Sequence, residues 1–456
     1  MSRARAILSL AWPVLVGQWA ALSYMLLDTI MTGHASPTDL AAVGLGNSIY
    51  ISSYIGLMGV LMSLNPVIAH YFGAQHQEDI GRVWCQGNWL ALMLAVLGIA
   101  AISMPDVWLV MSKVEPPVRA AVGDYLVAIA FALPAALLFR VMYAFNTAVS
   151  RPKLIMAINL GGMVLKLPLN YVLIYGKLGL PALGSTGCGI ATAIVMWTSC
   201  AAGWWIMRRD PFYQRFAIRF DWPRWSQQKE LLRLGVPIGL TNAVEVTSFT
   251  FMALLAARLG TAVSAGHQIS SNLAALCFMP PLALAVATST LVAQALGAHN
   301  PVEARRYALT GLRLGLAEGL ALALTVWLGR ETLIGWYTSD PGVATVAMTL
   351  LPLVALFHIF DSLQVLAGFS LRSYKRTLAP LLIYSIGLWG LGLVGGYWIA
   401  FQPIFNDTGL GARGLWLAAS GALGIAALTL IAYLGIVSRR EVFTVHNERP
   451  DPLLLS

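Results

Sequence analysis

Apolar stretches long enough to cross a lipid bilayer recur along almost the whole chain, and this recurrence limits the fold more than any other feature. A hydrocarbon core about 30 Å thick needs roughly 20 apolar residues per helix. Stretches of that kind fall near 6–32, 45–70, 88–111, 120–146, 154–175, 187–208, 230–256, 268–296, 308–330, 342–370, 378–401 and 412–437. They leave no room for a sizeable soluble domain. Of the 456 residues, 58% are hydrophobic and 11% charged, where a soluble chain carries about 25% charged residues. Such a chain cannot cover its surface with polar groups, so lipid has to. The expected fold is an all-α polytopic membrane protein with twelve transmembrane helices.

The net charge of +9 raises the question of nucleic acid, and the placement of the charges answers it. With twelve spans both termini lie on one side. Of the 29 lysines and arginines, 21 fall on or near that side and 6 on or near the other, with Arg140 and Lys166 left deep inside spans. The positive-inside rule then places both termini in the cytoplasm. The basic excess is a topology signal and no nucleic-acid partner is expected. Cys85, Cys188, Cys200 and Cys277 show no paired spacing, so neither a disulfide framework nor a cysteine metal site is expected. The basic start followed by a long apolar run reads as a retained first helix, since it is too long and lacks a convincing cleavage site for a signal peptide.

The chain repeats itself at an offset of 224 residues. LSLAWPVL at 8–15 matches LRLGVPIG at 232–239, with Pro13 over Pro237. AHYFGAQHQEDIGR at 69–82 matches AQALGAHNPVEARR at 293–306, and SRPK at 150–153 more loosely matches RSYK at 372–375. Six spans separate the matched loops, so the repeats are parallel, related by a pseudo-two-fold axis along the membrane normal. The expected organisation is a six-helix lobe over 1–208, a basic cytoplasmic linker over 209–229, a second six-helix lobe over 230–437 and a cytoplasmic tail over 438–456. Transporters favour this plan because two similar bundles can rock about a site.

A charge at the bilayer centre costs at least about 2.5–3.5 kcal/mol on insertion scales, so residues that bear it usually face a cavity and act on ions or substrate. Four carboxylates qualify: Asp28, Glu245, Glu318 and Asp361. His358 and Gln364 lie three residues either side of Asp361, on one helical stripe. Thr241, Asn242 and Ser248 share a face with Glu245, and Tyr24 and Thr32 flank Asp28 by one turn each. Polar neighbours at helical spacing mark cavity linings. Glu318 has only small and apolar sequence neighbours and reads instead as interhelical glue. In such a cavity burial disfavours the ionised carboxylate, so the group takes a proton, or accepts Na⁺ or an organic cation in its place. Arg140 and Lys166 either snorkel or pair with a carboxylate, and Lys166 beside Asp28 is the pairing to look for. Adaptable walls for apolar cations are available in Tyr50, Tyr54, Phe251, Phe278 and Met279, although ordinary helix packing explains any one of them equally well.

Taken together, these residues resemble the multidrug and toxic compound extrusion (MATE) family, and within it the bacterial NorM type. The stretches that carry the resemblance are WPVL with LLDTIMTGH at 12–34, NPVIAHYFGA at 65–74 and PLNYVLIYGKLGLPALGSTGCGIATAI at 168–194. In the second half they are VPIGLTNAVEVTSF at 236–249, AGHQISSN at 265–272, LVAQALGA at 291–298 and FDSLQVLAGFSLRSYK at 360–375. The resemblance covers essentially the whole chain. It implies two lobes that open a V-shaped cavity to one side at a time and export organic cationic drugs or dyes in exchange for Na⁺ or H⁺. It puts Glu245 and Asp361 on the carboxylates of the second-lobe cation site, where Na⁺ would bind, and Asp28 on an acidic residue implicated in proton or drug coupling. Asn170, Asn242, Gln268, His358 and Gln364 would line the cavity with Tyr50, Tyr54 and Met279. The implied location is a bacterial inner membrane, with no cofactor beyond the coupling ion and no reason to expect an oligomer.

Two positions depart from the family pattern. The fifth helix of the family often reads Asn, then Asn or Asp four residues later; here Asn170 keeps the second position and Lys166 takes the first. A lysine there acts as a tethered cation beside Asp28, leaving Glu245 and Asp361 to carry the coupling. Phe357 stands one turn before Asp361, where some relatives have tyrosine.

Two rival readings make different demands. A flippase for a lipid-linked sugar, of related two-lobed fold, needs a cationic cavity for pyrophosphate, and the cavity candidates here are mostly acidic. A membrane-embedded enzyme needs a convergent nucleophile and base or a metal cluster. No HExxH or Walker pattern occurs, and His267, in what reads as an AGHQ turn, suits helix packing.

Overall fold

The computed structural model describes residues 2–104, 115–403 and 409–447. Lys113 and Arg449 of the charge count, the end of the stretch 88–111 and the tail beyond residue 447 lie outside them. Eleven helices among the described residues are long and apolar enough to cross a membrane. In order the spans are Arg3–Ala35, Pro37–Gly73, Gln77–Ile102, then Pro152–Tyr175, Gly184–Arg209, Trp225–Ala257, Thr261–Gly297, Pro301–Tyr337, Pro341–Ser373, Leu378–Phe401 and Gly411–Thr444. The pair Pro116–Ala130 and Ala132–Ala148, bent by 42°, forms the fourth span and brings the number to twelve.

The bends have local causes. Pro134 has no N–H to offer Ala130, and its ring crowds that carbonyl, so the fourth span breaks at Phe131. Trp197 Nε1 donates to the Phe131 carbonyl at 2.9 Å and satisfies a group the break sets free. The second span breaks at Met62 and Ser63, four and three residues before Pro66. The eighth breaks at Phe278, ahead of Pro280 and Pro281.

Helix starts follow the sequence closely. Proline occupies the first turn at Pro37, Pro116, Pro152, Pro301 and Pro341, where no intrahelical N–H bond is lost. Ser36, Asn300 and Asp340 cap the backbone N–H groups of Asp39, Glu303 and Val343. The Pro152–Tyr175 helix ends at Gly176, whose φ of 65° suits glycine.

Three expectations from the sequence are corrected. The third span begins at Gln77 and ends at Ile102, where apolarity alone indicated 88–111. The acidic first turn of Glu78 and Asp79 favours a helix N-terminus, so the helix starts well before the apolar run. The matched loops at 69–82 and 293–306 are therefore short: turns at 74–76 and 298–300 join helices that hold the rest. AGHQ at 265–268 is no turn, because it lies inside the Thr261–Cys277 helix.

The chain forms two compact units. One is Trp12–Gly239; the other joins Met1–Ala11 to Leu240–Ser456. The division between these units falls inside the first and seventh spans. In the first unit Gly187 of the sixth span lies against the fifth, where a Cβ would come 2.5 Å from the Leu173 carbonyl oxygen. In the second unit Gly387, Gly392 and Gly396 of the eleventh span face Ala426, Ala422 and Ala418 of the twelfth, where an added Cβ would meet each alanine Cβ at 3.4–3.5 Å. Without hydrophobic drive between helices in lipid, such close packing of small residues supplies the attraction. Also in the second unit, the Arg3 guanidinium forks onto Glu303, at 2.8 and 3.0 Å.

Candidate functional site

Each unit holds its own set of intramembrane polar groups. In the first unit Asp28 of the first span faces the fifth span, where Lys166 and Asn170 stand one turn apart. Lys166 Nζ donates to Asp28 Oδ2 and to Thr192 Oγ1, both at 2.8 Å, and lies 5.4 Å from the Tyr24 ring centroid. The second carboxylate oxygen, Asp28 Oδ1, accepts from Asn170 Nδ2 at 2.8 Å. Lys166 is only 1% exposed, and Asp28 and Asn170 are buried with it. A buried ammonium needs its charge paired and its three donors used; here a carboxylate, a hydroxyl and a ring face meet those needs. Tyr24 is fixed by its own bond to the Asn159 carbonyl at 2.8 Å. Arg140 is separate from this cluster, with its guanidinium 4.4 Å from the Tyr143 ring centroid.

In the second unit Asp361 is 4% exposed in the tenth span. Its Oδ1 accepts from Gln364 Nε2 at 3.0 Å, the i+3 partner on its stripe. Glu245 stands close enough to feel the charge of Asp361 and that of Arg372. The Gln364 Oε1 atom is buried and has no hydrogen-bond partner. Among the described residues no group of three or more His, Cys, Asp or Glu gathers to hold a metal ion. A hard cation also takes amide and carbonyl oxygens, so two carboxylates with a free amide oxygen nearby are chemically suited to a proton or to Na⁺.

The structure adds one member to each cluster that sequence reasoning did not place there. Glu318 of the ninth span accepts from Ser362 Oγ at 2.9 Å and lies 3.6 Å from His358 Nε2. Its polar neighbours come from the tenth span, so a reading of its own helix could not find them. The signal was beside it: Gly311, Gly315 and Gly319 form a stripe that brings the ninth span against Thr288, Leu366 and Ser362. Thr192, the third group around Lys166, was likewise inconspicuous in its apolar helix.

The remaining candidates are more scattered. Tyr50 and Tyr54 stack at 5.5 Å in the first unit. Asn242 and Met279 are half-buried in the second. Gln268 is exposed, and its amide reaches Asn272 Oδ1 at 3.4 Å, so nothing joins it to Asp361. His267 is buried and accepts from Trp416 Nε1 at 3.2 Å. Phe249 and Phe357 pack on the same indole, with ring centroids 6.4 and 5.7 Å away.

Comparison with known proteins bears on this geometry. The MatE family pattern matches residues 13–172 and again 237–398, so the two matches begin at the prolines that the internal repeat superposes. The probable multidrug resistance protein NorM of Aromatoleum aromaticum is 42% identical over 436 residues, which are 94% of this chain and 93% of its own. The protein of the same name from Neisseria meningitidis serogroup B is 35% identical over 448 residues, 97% of this chain and 96% of its own. The crystal structure of the eukaryotic MATE transporter AtDTX14 is alike in fold, with a TM-score of 0.87 over 97% of this chain and 99% of that one, at 19% identity. The chain belongs to the MatE family and is of its NorM type.

Proposed function

We propose that this protein is a secondary active multidrug efflux antiporter, which exports organic cations by alternating access in exchange for Na⁺ or H⁺. The observation that carries the proposal is a contrast between two buried carboxylates. Asp28 is held by the Lys166 ammonium at 2.8 Å, whereas the donor to Asp361 is the neutral amide of Gln364. The first carboxylate already has its cation. The second, with Glu245, is suited to receive one.

In this reading Asp361 and Glu245 bind either the driving ion or the organic cation. Bound Na⁺ or a bound proton neutralises the carboxylate and removes the attraction that holds the organic cation. Loss of the ion restores that attraction. Two occupants that compete for one carboxylate pair are exchanged and not co-transported. The membrane potential adds about 2.3 kcal/mol per charge per 100 mV to inward movement of the coupling cation. The protein would lie in a bacterial inner membrane with both termini cytoplasmic, as its charge asymmetry indicates.

Competition on the purified protein tests this. Binding of a fluorescent organic cation is measured while Na⁺ is raised, and separately while pH is lowered. Displacement by one of them, abolished in Asp361→Asn, is the expected result. A dye that stays bound through both titrations removes the antiporter reading and makes lipid-linked sugar flipping the next assay.

A further inference from the structure

The stretch after the sixth span was expected to be a linker, yet its backbone is held in place by side chains of the third span. Cys85 Sγ and Trp89 Nε1 both bond to the Asp221 carbonyl, at 3.2 and 3.0 Å. Gln86 Nε2 donates to the Trp222 carbonyl at 2.9 Å, and Gln86 Oε1 accepts from the Arg224 N–H at 2.9 Å. Gly81 lets the Phe216 and Ala217 carbonyls approach the third span closely. Upstream, Tyr213 and Phe216 are buried against Phe145, and the Tyr213 hydroxyl donates to Asn146 Oδ1 at 2.6 Å. This is a docked strap.

The strap turns large rings outward beside a run of arginines. Phe220, Trp222 and Trp225 are 72%, 71% and 72% exposed, although Trp222 stacks on Trp89 and touches Phe220 edge-on. Arg208, Arg209, Arg215, Arg219 and Arg224 are exposed in the same stretch; Arg208, Arg209 and Arg215 lie over the rings of Trp204, Trp205 and Phe212, and Arg224 pairs with Asp221 at 3.1 Å at the exposed surface. Five buried or half-buried hydrogen bonds thus fix a segment that turns three large rings outward. After six spans the chain is back on the basic side of the membrane, and the seventh span starts at Trp225. Indole rings settle at the headgroup level, and clustered guanidinium groups next to a span attract anionic headgroups.

We infer that the strap is a binding site for an anionic glycerophospholipid of the adjoining leaflet, with Phe220, Trp222 and Trp225 inserted among the headgroups and Arg219 and Arg224 on the lipid phosphate. The inference is independent of the transport reading, since it uses none of the intramembrane carboxylates.

Native mass spectrometry of the full-length protein tests it, by titration with phosphatidylglycerol or with phosphatidylcholine of the same acyl chains. Wild type is expected to retain phosphatidylglycerol preferentially. Arg219→Gln with Arg224→Gln should lower that retention about thirtyfold, as removal of two near-surface charges at about 1 kcal/mol each implies. Trp222→Ala with Trp225→Ala should lower it several-fold, while Trp222→Phe with Trp225→Phe retains most of it and guards against a folding defect. Arg439→Gln with Arg440→Gln, exposed about two turns before the end of the Gly411–Asn447 helix, should leave retention unchanged. Equal retention of the two lipids by wild type overturns the inference. So does an equal loss in the Arg439/Arg440 variant, which would reduce the effect to diffuse charge on the basic side.

Discussion

Lys166 Nζ and Asp28 Oδ2 stand 2.8 Å apart inside the first unit, both buried, with Thr192 and Asn170 completing their hydrogen bonds. A membrane carboxylate with its own lysine is electrically complete. The second unit has no such closure at Asp361, and this difference underlies the proposed division of labour.

The pair itself predicts a double-mutant cycle. Lys166→Met leaves Asp28 without its counter-charge, and Asp28→Asn strands the ammonium; each should destabilise the protein by about 3–5 kcal/mol. The double variant should recover most of that loss, because a neutral pair of similar volume removes both desolvation penalties. Thermal melting of the three purified variants reads the coupling. Purely additive losses would show that the ion pair contributes nothing of its own.

Lys166→Asn asks a functional question. It restores the asparagine that the family often has at this position and removes the tethered cation, so Asp28 becomes available to a mobile one. The expected outcome is a changed dependence of transport on pH or Na⁺, erased when Asp28→Asn is added. If neither transport nor its pH dependence changes, Lys166 is not acting as a tethered cation.

Glu318 separates glue from coupling. Ser362 donates to it and His358 lies beside it, so Glu318→Gln keeps an acceptor for Ser362, whereas Glu318→Ala leaves buried groups unsatisfied. The alanine variant should lose about 1–3 kcal/mol of stability, and the glutamine variant should melt and transport nearly as wild type. A transport-dead but stable Glu318→Gln protein would move this residue into the coupling site.

Packing beneath the first-unit cluster should be sensitive to a single methyl group. Gly187→Ala would set its Cβ 2.5 Å from the Leu173 carbonyl oxygen and 2.7 Å from the carbonyl carbon, and backbone atoms cannot rotate away. The fifth and sixth spans, which bring Lys166 and Thr192 together, must then separate. A loss of about 1–3 kcal/mol is expected, measurable as a lower melting temperature. Unchanged melting would mean that the two helices adjust freely at this crossing.

Much of this architecture was legible in the sequence. Apolar runs of bilayer length gave the spans, and the proline-anchored repeat has its counterpart in the double family match. Lys166 and Asp28 could be paired on paper because lipid forbids an unpaired charge. Other features depend on tertiary contact and left no local trace. The partners of Glu318 come from another span, and the hold of Gln86 on Trp222 and Arg224 joins residues far apart in the chain. The start of the third span at Gln77 was hidden for a different reason: helices continue past the hydrocarbon, where hydropathy no longer marks them.

The most direct measurement is efflux of a fluorescent organic cation from proteoliposomes, with a Na⁺ gradient and a pH gradient imposed in turn on wild type, Glu245→Gln and Asp361→Asn. One of the two gradients should drive efflux by wild type, and both variants should lose the response while remaining folded. Gradient-driven efflux that survives in Asp361→Asn, or a wild type that binds the dye and ignores both gradients, would contradict the account.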